Sequence, residues 1–340
     1  MSETPTLRAA SSRVVGGEAL RSNRIPFFYV TKVGKLLRLR LMVIGTGGAP
    51  MPASAKTSQE LERPPSGSPA VAPVLLVEDL VKRFDTLEGP ITAVNRVSFS
   101  VAQGELISLI GPSGCGKSTV FNIVGGLLPM SEGRVTVNGA AISGPHAGIG
   151  MVFQEESTFP WRTVLDNVAF PLEIVGMRKA ERIERAMHYL KIVGLGGFEK
   201  CYPAELSGGM RQRVSIARAL GSSPKMLLMD EPFASLDEQT RLLLGDKVLQ
   251  IQQEVDQTIL LITHSITEAV QLSDRVLVMS YRPGRIKRAV EIDLPRPRTS
   301  AIVSSDAFGR YVAAIWGDLR EEASRGMLSD DAQPSRQGRA

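Results

Sequence analysis

The sequence predicts an α/β fold built on a mostly parallel sheet covered on both faces. Three observations carry that prediction. From Val74 to Asp293, short apolar runs alternate with segments of helical periodicity. The runs Glu105–Ile110, Lys225–Asp230 and Thr258–Thr263 are apolar almost throughout, as strands buried on both faces are. The first of them leads directly into a glycine-rich turn and then a helix.

Taken in order, Val74–Glu78 and Thr92–Ala102 read as strands of period two. Glu105–Ile110 follows as a buried strand, then Gly116–Leu128 as a helix and Ile149–Gln154 as a strand. Three helices come next, Val164–Val175, Arg178–Val193 and Ser207–Leu220. Strand Lys225–Asp230, helix Glu238–Val255 and strand Thr258–Thr263 continue the alternation, and Ser273–Ser280 and Arg285–Asp293 end the β content. No internal repeat is present, so residues 74–294 form one domain, with a helical part at about 155–220. In the C-terminal extension, 295–340, residues Phe308, Tyr311, Val312, Ile315, Trp316 and Leu319 recur at helical spacing and predict a core-packing helix.

Residues 1–73 differ in character. Residues 46–73 are rich in Gly, Pro, Ser and Ala and read as a linker. Ile25–Ile44 is apolar but carries Lys32, Lys35, Arg38 and Arg40, too many charges for a membrane-spanning helix and a break in any signal-peptide core. The expectation for 1–73 is a disordered extension, with Met51 as a candidate start; the alternative is a basic segment resting on anionic lipid. The net charge of +5 comes from this end, because residues 1–50 hold eight basic and two acidic side chains. The remaining 290 residues are near neutral, which argues against a nucleic-acid-binding body. Two cysteines exclude a disulfide framework and fit a reducing compartment, and three scattered histidines suggest no metal site.

Gly111-Pro-Ser-Gly-Cys-Gly116-Lys117-Ser118-Thr119 is a GxxxxGK[ST] phosphate-binding loop between a strand and a helix. Its glycines let backbone N–H groups close on phosphate oxygens, and the helix N-terminus adds a favourable dipole. Lys117 suits the β- and γ-phosphates and Ser118 suits Mg²⁺. Gly111, Pro112, Ser113, Gly114, Cys115, Gly116, Lys117, Ser118 and Thr119 are therefore candidate ATP-binding residues, with Cys115 a filler rather than a nucleophile. The pattern alone arises by chance roughly once per hundred chains of this length; its strand-to-helix setting makes chance a poor account. Met226-Leu-Leu-Met-Asp230-Glu231 is an apolar strand ending in two carboxylates, where ligands bind in open α/β sheets. Asp230 is the candidate Mg²⁺ ligand, and Glu231 the candidate general base for an attacking water.

Leu206-Ser207-Gly208-Gly209-Met210-Arg211-Gln212-Arg213 is explained only in part by an N-cap and flexible glycines. It resembles the signature motif of ABC ATPases, and the resemblance runs from about Val74 to Asp293. The resemblance implies a P-loop NTPase cassette with an antiparallel β subdomain and a helical subdomain beside the core sheet. It implies that Phe84 stacks on adenine, that Gln154 is the Q-loop glutamine sensing Mg²⁺, and that Ala234-Ser-Leu-Asp237 is the D-loop. His264 resembles the switch histidine that meets the γ-phosphate. It further implies a head-to-tail dimer of two copies, in which Ser207, Gly208 and Gly209 of one cap the ATP bound by the other.

The insert between Gln154 and Leu206 is about 50 residues long, which leaves no room for a long coiled coil, and the chain holds one cassette. Both features suit a transporter subunit. Phe159-Pro-Trp161-Arg-Thr-Val-Leu-Asp-Asn167-Val168, Thr263-His-Ser-Ile-Thr-Glu268-Ala-Val270 and Val278-Met-Ser-Tyr281-Arg-Pro-Gly-Arg285-Ile286 are similar to the ATPases of nitrate, sulfonate and taurine importers. What this implies is an ATPase on the cytoplasmic face of the inner membrane, docked on two integral membrane permease subunits and served indirectly by a solute-binding protein. A soluble ABC ATPase acting on nucleic acid or ribosomes is the alternative.

Overall fold

The computed structural model describes residues 26–33, 36–43, 72–87, 89–154, 157–234 and 236–331. In chain order its strands are β1 (Pro26–Val33), β2 (Leu36–Val43), β3 (Leu75–Thr86), β4 (Gly89–Val101), β5 (Leu106–Ile110), β6 (Glu132–Val137), β7 (Ala140–Ala141), β8 (Ile149–Val152), β9 (Met226–Asp230), β10 (Thr258–Thr263), β11 (Arg275–Met279) and β12 (Ile286–Glu291). Its helices are α1 (Lys117–Val124), α2 (Val164–Ile174), α3 (Lys179–Ile192), α4 (Gly208–Gly221), α5 (Glu238–Glu254), α6 (Ile266–Leu272) and α7 (Asp306–Asp331). The chain divides into two units, Met1–Pro64 and Pro65–Ala340.

In the first unit β1 and β2 pair antiparallel, from Pro26 with Val43 to Val33 with Leu36. The sequence reading had placed no strand here. Arg38 and Arg40, which break a membrane span, fall at alternate positions between Leu37, Leu39 and Leu41, and that is a strand pattern of period two. The remainder of residues 1–71, including Met51 and all but the last two residues of the expected linker, lies outside the described residues.

The second unit is organised by a six-stranded sheet in the order β12-β11-β5-β10-β9-β8. Neighbours are parallel except for β12, which pairs antiparallel with β11 at the edge. β9 shows why the sheet is apolar throughout. Met226 and Leu228 pack with α1 and with the antiparallel strands, while Leu227 and Met229 pack with α2, α4 and α5. All four are almost wholly shielded from solvent. A four-stranded antiparallel sheet, β4-β3-β6-β7, covers the first face. Strands β6 and β7 escape the sequence reading because β6 begins Glu-Gly-Arg and only its last three residues are buried.

The helices start where side-chain oxygens can satisfy free backbone N–H groups. Thr163 accepts from Asp166 N at 3.1 Å, Ser207 from Met210 N at 3.3 Å, Asp237 from Thr240 N at 3.0 Å and Ser265 from Glu268 N at 3.3 Å. The last of these begins α6, whose seven residues are too few to show a period in sequence. The predicted C-terminal helix is present as α7. Phe308, Ile315 and Leu319 pack there against α6, β11 and β12, and Tyr311 and Val312 are partly buried. Trp316 departs from the expectation: it is 57% exposed, one helical step past the buried stripe.

Candidate active site

The site lies along one edge of the parallel sheet. Register sets the row: Thr263 pairs with Ile110, Ile262 with Asp230, and Met229 with Val152. The residues just beyond are Gly111 after β5, His264 after β10, Glu231 after β9 and Gln154 after β8. Positions far apart in sequence thus meet at the carboxyl ends of four adjacent strands.

The phosphate loop is shaped by backbone rather than by side chains. Gly116 caps α1 at φ 103°, without a side-chain cap, so the first-turn N–H groups of α1 carry no side-chain partner there. A Cβ on Gly116 would lie 2.9 Å from the Ala93 carbonyl oxygen of β4, so only glycine fits. Cys115 is fully buried, and burial raises its thiol pKa, which agrees with a filler role. The Lys117 ammonium is largely buried and donates to the Gly111 and Pro112 carbonyls at 2.8 and 3.1 Å. Pro112 and Thr119 are half-buried, whereas Ser113, Gly114 and Ser118 face outward.

Asp230 sits beneath this loop. Its pKa is pushed up to about 6, first by burial and then by the neighbouring Glu231 charge, against the pull of Lys117 and a hydrogen bond from Ser118. Glu231 adopts φ 44°, a left-handed conformation that costs a side-chain-bearing residue about 1–3 kcal/mol. Its N–H donates to the Ile262 carbonyl at 2.8 Å, which holds the turn. One carboxylate oxygen, Oε2, accepts from Gln154 Nε2 at 3.1 Å and lies 3.2 Å from His264 Nδ1. The structure therefore gathers Lys117, Ser118, Asp230, Glu231, Gln154 and His264 into one constellation.

Phe84 and the signature residues lie apart from it. Phe84, 38% exposed, is near the end of β3 and pairs with Ile91, two residues before Ala93; Lys82 Nζ lies 5.0 Å from its ring centroid. Ser207, Gly208 and Gly209 open α4 beside the start of α5. A Cβ on Gly209 would meet the Thr240 methyl at 3.2 Å, and one on Gly208 would meet Leu236 at 3.5 Å. Asp237 is exposed, and the Thr240 N–H holds its carboxyl below the usual range. Ser235 of the expected D-loop lies outside the described residues.

Sequence reasoning missed two supports. Thr263, buried behind His264, donates to Glu268, which also pairs with Arg241 at 3.3 Å. Arg241 in turn donates to the Leu236 carbonyl at 3.1 Å, so the two loops share one ionic link, buried at its Glu268 end. Arg241 and Glu268 each fall four residues after a loop residue, Asp237 and His264, and that spacing was the available signal. The second support orders the segment after Gln154. Asn167, fully buried, accepts from Phe159 N at 2.7 Å and donates to the carbonyls of Phe159, Arg162 and Thr163. Arg218 of α4 donates to the Ser157 carbonyl at 2.6 Å, and burial lowers its pKa to about 10, which leaves it charged. Phe159 is buried by this arrangement, whereas Trp161 remains 63% exposed.

Comparison with known proteins agrees with this geometry. A family model described as ABC transporter matches residues 94–234. A taurine import ATP-binding protein of Rhizobium johnstonii is 44% identical over 230 residues, covering 68% of this chain and 87% of that protein. A nitrate import ATP-binding protein of Synechocystis is 42% identical over 252 residues, covering 72% and 95%. A solved dimeric ATP-binding cassette in a post-hydrolysis state with ADP and Pi superposes with a TM-score of 0.58 at 31% identity, covering 65% of this chain and all of that one. With the strand-end carboxylates, the phosphate loop and the signature turn all in their expected elements, the chain belongs to the ABC transporter family as an ATP-binding, ATP-hydrolysing subunit.

Proposed function

We propose that this chain energises an importer for a small solute such as nitrate, a sulfonate or taurine. It would work as a pair of copies on two membrane subunits at the cytoplasmic face of the inner membrane. Among the described residues no helix is long and apolar enough to cross a membrane, so docking would be peripheral. The observation that carries the reading is that Gln154, in the site, stands seven residues before the exposed Trp161. Gln154 touches Glu231, and the segment it leads into is ordered by Asn167 and Arg218 and presents Trp161 to solvent. A membrane subunit seated on that segment would press only a few residues along the chain from Gln154, which touches the base. The solute would be chosen by a binding protein and the membrane subunits.

In the proposed chemistry, backbone N–H groups of Gly111–Thr119 and the α1 N-terminus receive the polyphosphate of ATP. Lys117 exchanges its loop carbonyl acceptors for β- and γ-phosphate oxygens. Phe84 offers a ring face to adenine. Glu231, set at the strand end, takes the proton of the attacking water while Gln154 and His264 fix its position. Ser207 to Gly209 of a second copy direct N–H groups and a helix N-terminus onto the γ-phosphate. Ser118, Asp230 and Gln154 would hold Mg²⁺, which neutralises charge on the β- and γ-oxygens when bound. The fit is chemical: these are hard oxygen donors, and burial together with the adjacent Glu231 charge raises the Asp230 pKa, a cost that a bound cation would offset.

Purification of the tagged chain from detergent-solubilised native membranes tests the reading. Co-recovery of a multi-span protein in stoichiometric amount is the expected result. Recovery with soluble partners alone would overturn it.

A further inference from the structure

We infer that Arg282 is a positioning residue of the ATP site, held there by the C-terminal helix α7 through Glu322. The inference rests on the ATPase reading of the phosphate loop and gives a role to a residue that the sequence reading quoted in Tyr281-Arg-Pro-Gly-Arg285 without assigning it one.

Arg282 is exposed and lies in the turn between β11 and β12. Its Nε donates to the Gly114 carbonyl at 2.8 Å, in the middle of the phosphate loop. Gly114 has φ 72°, and a Cβ there would lie 2.6 Å from Arg282 Nη2. The guanidinium thus occupies the space that a side chain would take. A peptide unit is planar, so fixing the Gly114 carbonyl also fixes the direction of the Cys115 N–H. Glycine is the residue with most backbone freedom, so this contact removes motion where the loop would otherwise have to be ordered by the nucleotide. The guanidinium also brings a permanent positive charge beside a loop built for polyphosphate.

The turn is tied down on two sides. Towards the site, Gly284 N donates to Ala93 O at 3.0 Å and Asn95 N donates to Gly284 O at 2.9 Å. A Cβ on Gly284 would lie 2.0 Å from the Cys115 carbonyl oxygen, so the turn lies directly against the loop. Towards α7, Tyr281 N donates to Glu322 Oε2 at 2.9 Å. Glu322 is 2% exposed and is also paired with Lys287 at 3.0 Å and Arg325 at 3.4 Å. Burial alone would raise the Glu322 pKa, but the Tyr281 N–H and Lys287 hold it below the usual value, so it stays ionised. A continuous chain of contacts runs from α7 through Glu322, Tyr281 and Arg282 to Gly114.

The test uses the full chain and three variants, R282A, R282K and E322A. Each is measured for ATP affinity by equilibrium titration, for KM and kcat of phosphate release, and for melting temperature without nucleotide. For R282A we expect the ATP Kd and KM to rise about tenfold, with kcat changed less than threefold and melting unchanged. R282K should recover part of the affinity, and E322A should weaken ATP binding in the same direction by a smaller factor. Wild-type affinity in R282A would overturn the inference. So would a parallel fall of melting temperature and affinity with no recovery by lysine, which would assign Arg282 to fold stability. Wild-type affinity in E322A would remove α7 from it. Absence of ATP binding by the wild-type chain is a separate outcome, and it would sink the underlying reading of the loop as well.

Discussion

The phosphate loop is enclosed by its own chain, whereas the signature turn faces outward. Cys115 and Lys117 are buried, and Gly116 has the Ala93 carbonyl behind it. Ser207 is exposed, and its hydroxyl is used to cap its own helix. The first is a surface shaped in advance for a small anion. The second, on the proposed reading, would meet its anion on another copy of the chain. The comparison teaches that ATP binding should be a property of one copy and hydrolysis a property of two.

The largest effect should come from Glu231→Gln. Phosphate release should fall about 10²–10⁴-fold while ATP still binds, since only the proton acceptor is lost. Rapid turnover would show that Glu231 is not the base. Next, Ser207→Arg should leave ATP affinity of the single copy within about twofold but lower hydrolysis about 10²–10³-fold. It should also abolish the ATP-dependent shift to a dimer in size-exclusion chromatography, and an unaffected shift would break the comparison. Lys117→Ala should weaken ATP binding by about tenfold or more, the worth of a charge-assisted hydrogen bond. The smallest effect is on stability. Gly116→Ala should cost about 1–3 kcal/mol, because alanine is strained at φ 103° and meets Ala93. Gly209→Ala, with only a threonine methyl at 3.2 Å, should stay within about 0.5 kcal/mol. Thermal melts of the pair read the difference between the two surfaces directly.

Much of the fold was legible because the core strands are apolar on both faces. Thr258–Thr263 is a strand with the expected limits, and Lys225–Asp230 differs from β9 by one residue. Half-buried elements were harder to see. β6 is polar for half its length, α6 is too short to show a period, and the alternation in β2 is hidden by arginines that read as a broken span. In the site, residues that touch phosphate chemistry stand in motifs and could be named. Residues that act on other residues could not. Asn167 makes four hydrogen bonds to the segment Phe159–Thr163, yet nothing in the letters Leu-Asp-Asn-Val tells that it is buried there. Trp316 shows the converse: its apolar character suggested burial, and only the helix phase of α7 places it outside.

The row of strand ends has a consequence for where control can reside. β5, β10, β9 and β8 are locked in register, so the distances between Gly111, His264, Glu231 and Gln154 along the row follow the strand spacing of about 4.8 Å. A buried sheet does not shear readily, and the placement of this chain's own catalytic row is therefore built in when the chain folds. Timing is another matter. Gln154 and His264 both hang beyond their strands and both meet Oε2 of Glu231. Substitutions that alter when ATP is spent, leaving untouched whether it can be, should therefore concentrate in the short stretches 153–158 and 264–265 and spare the strands themselves.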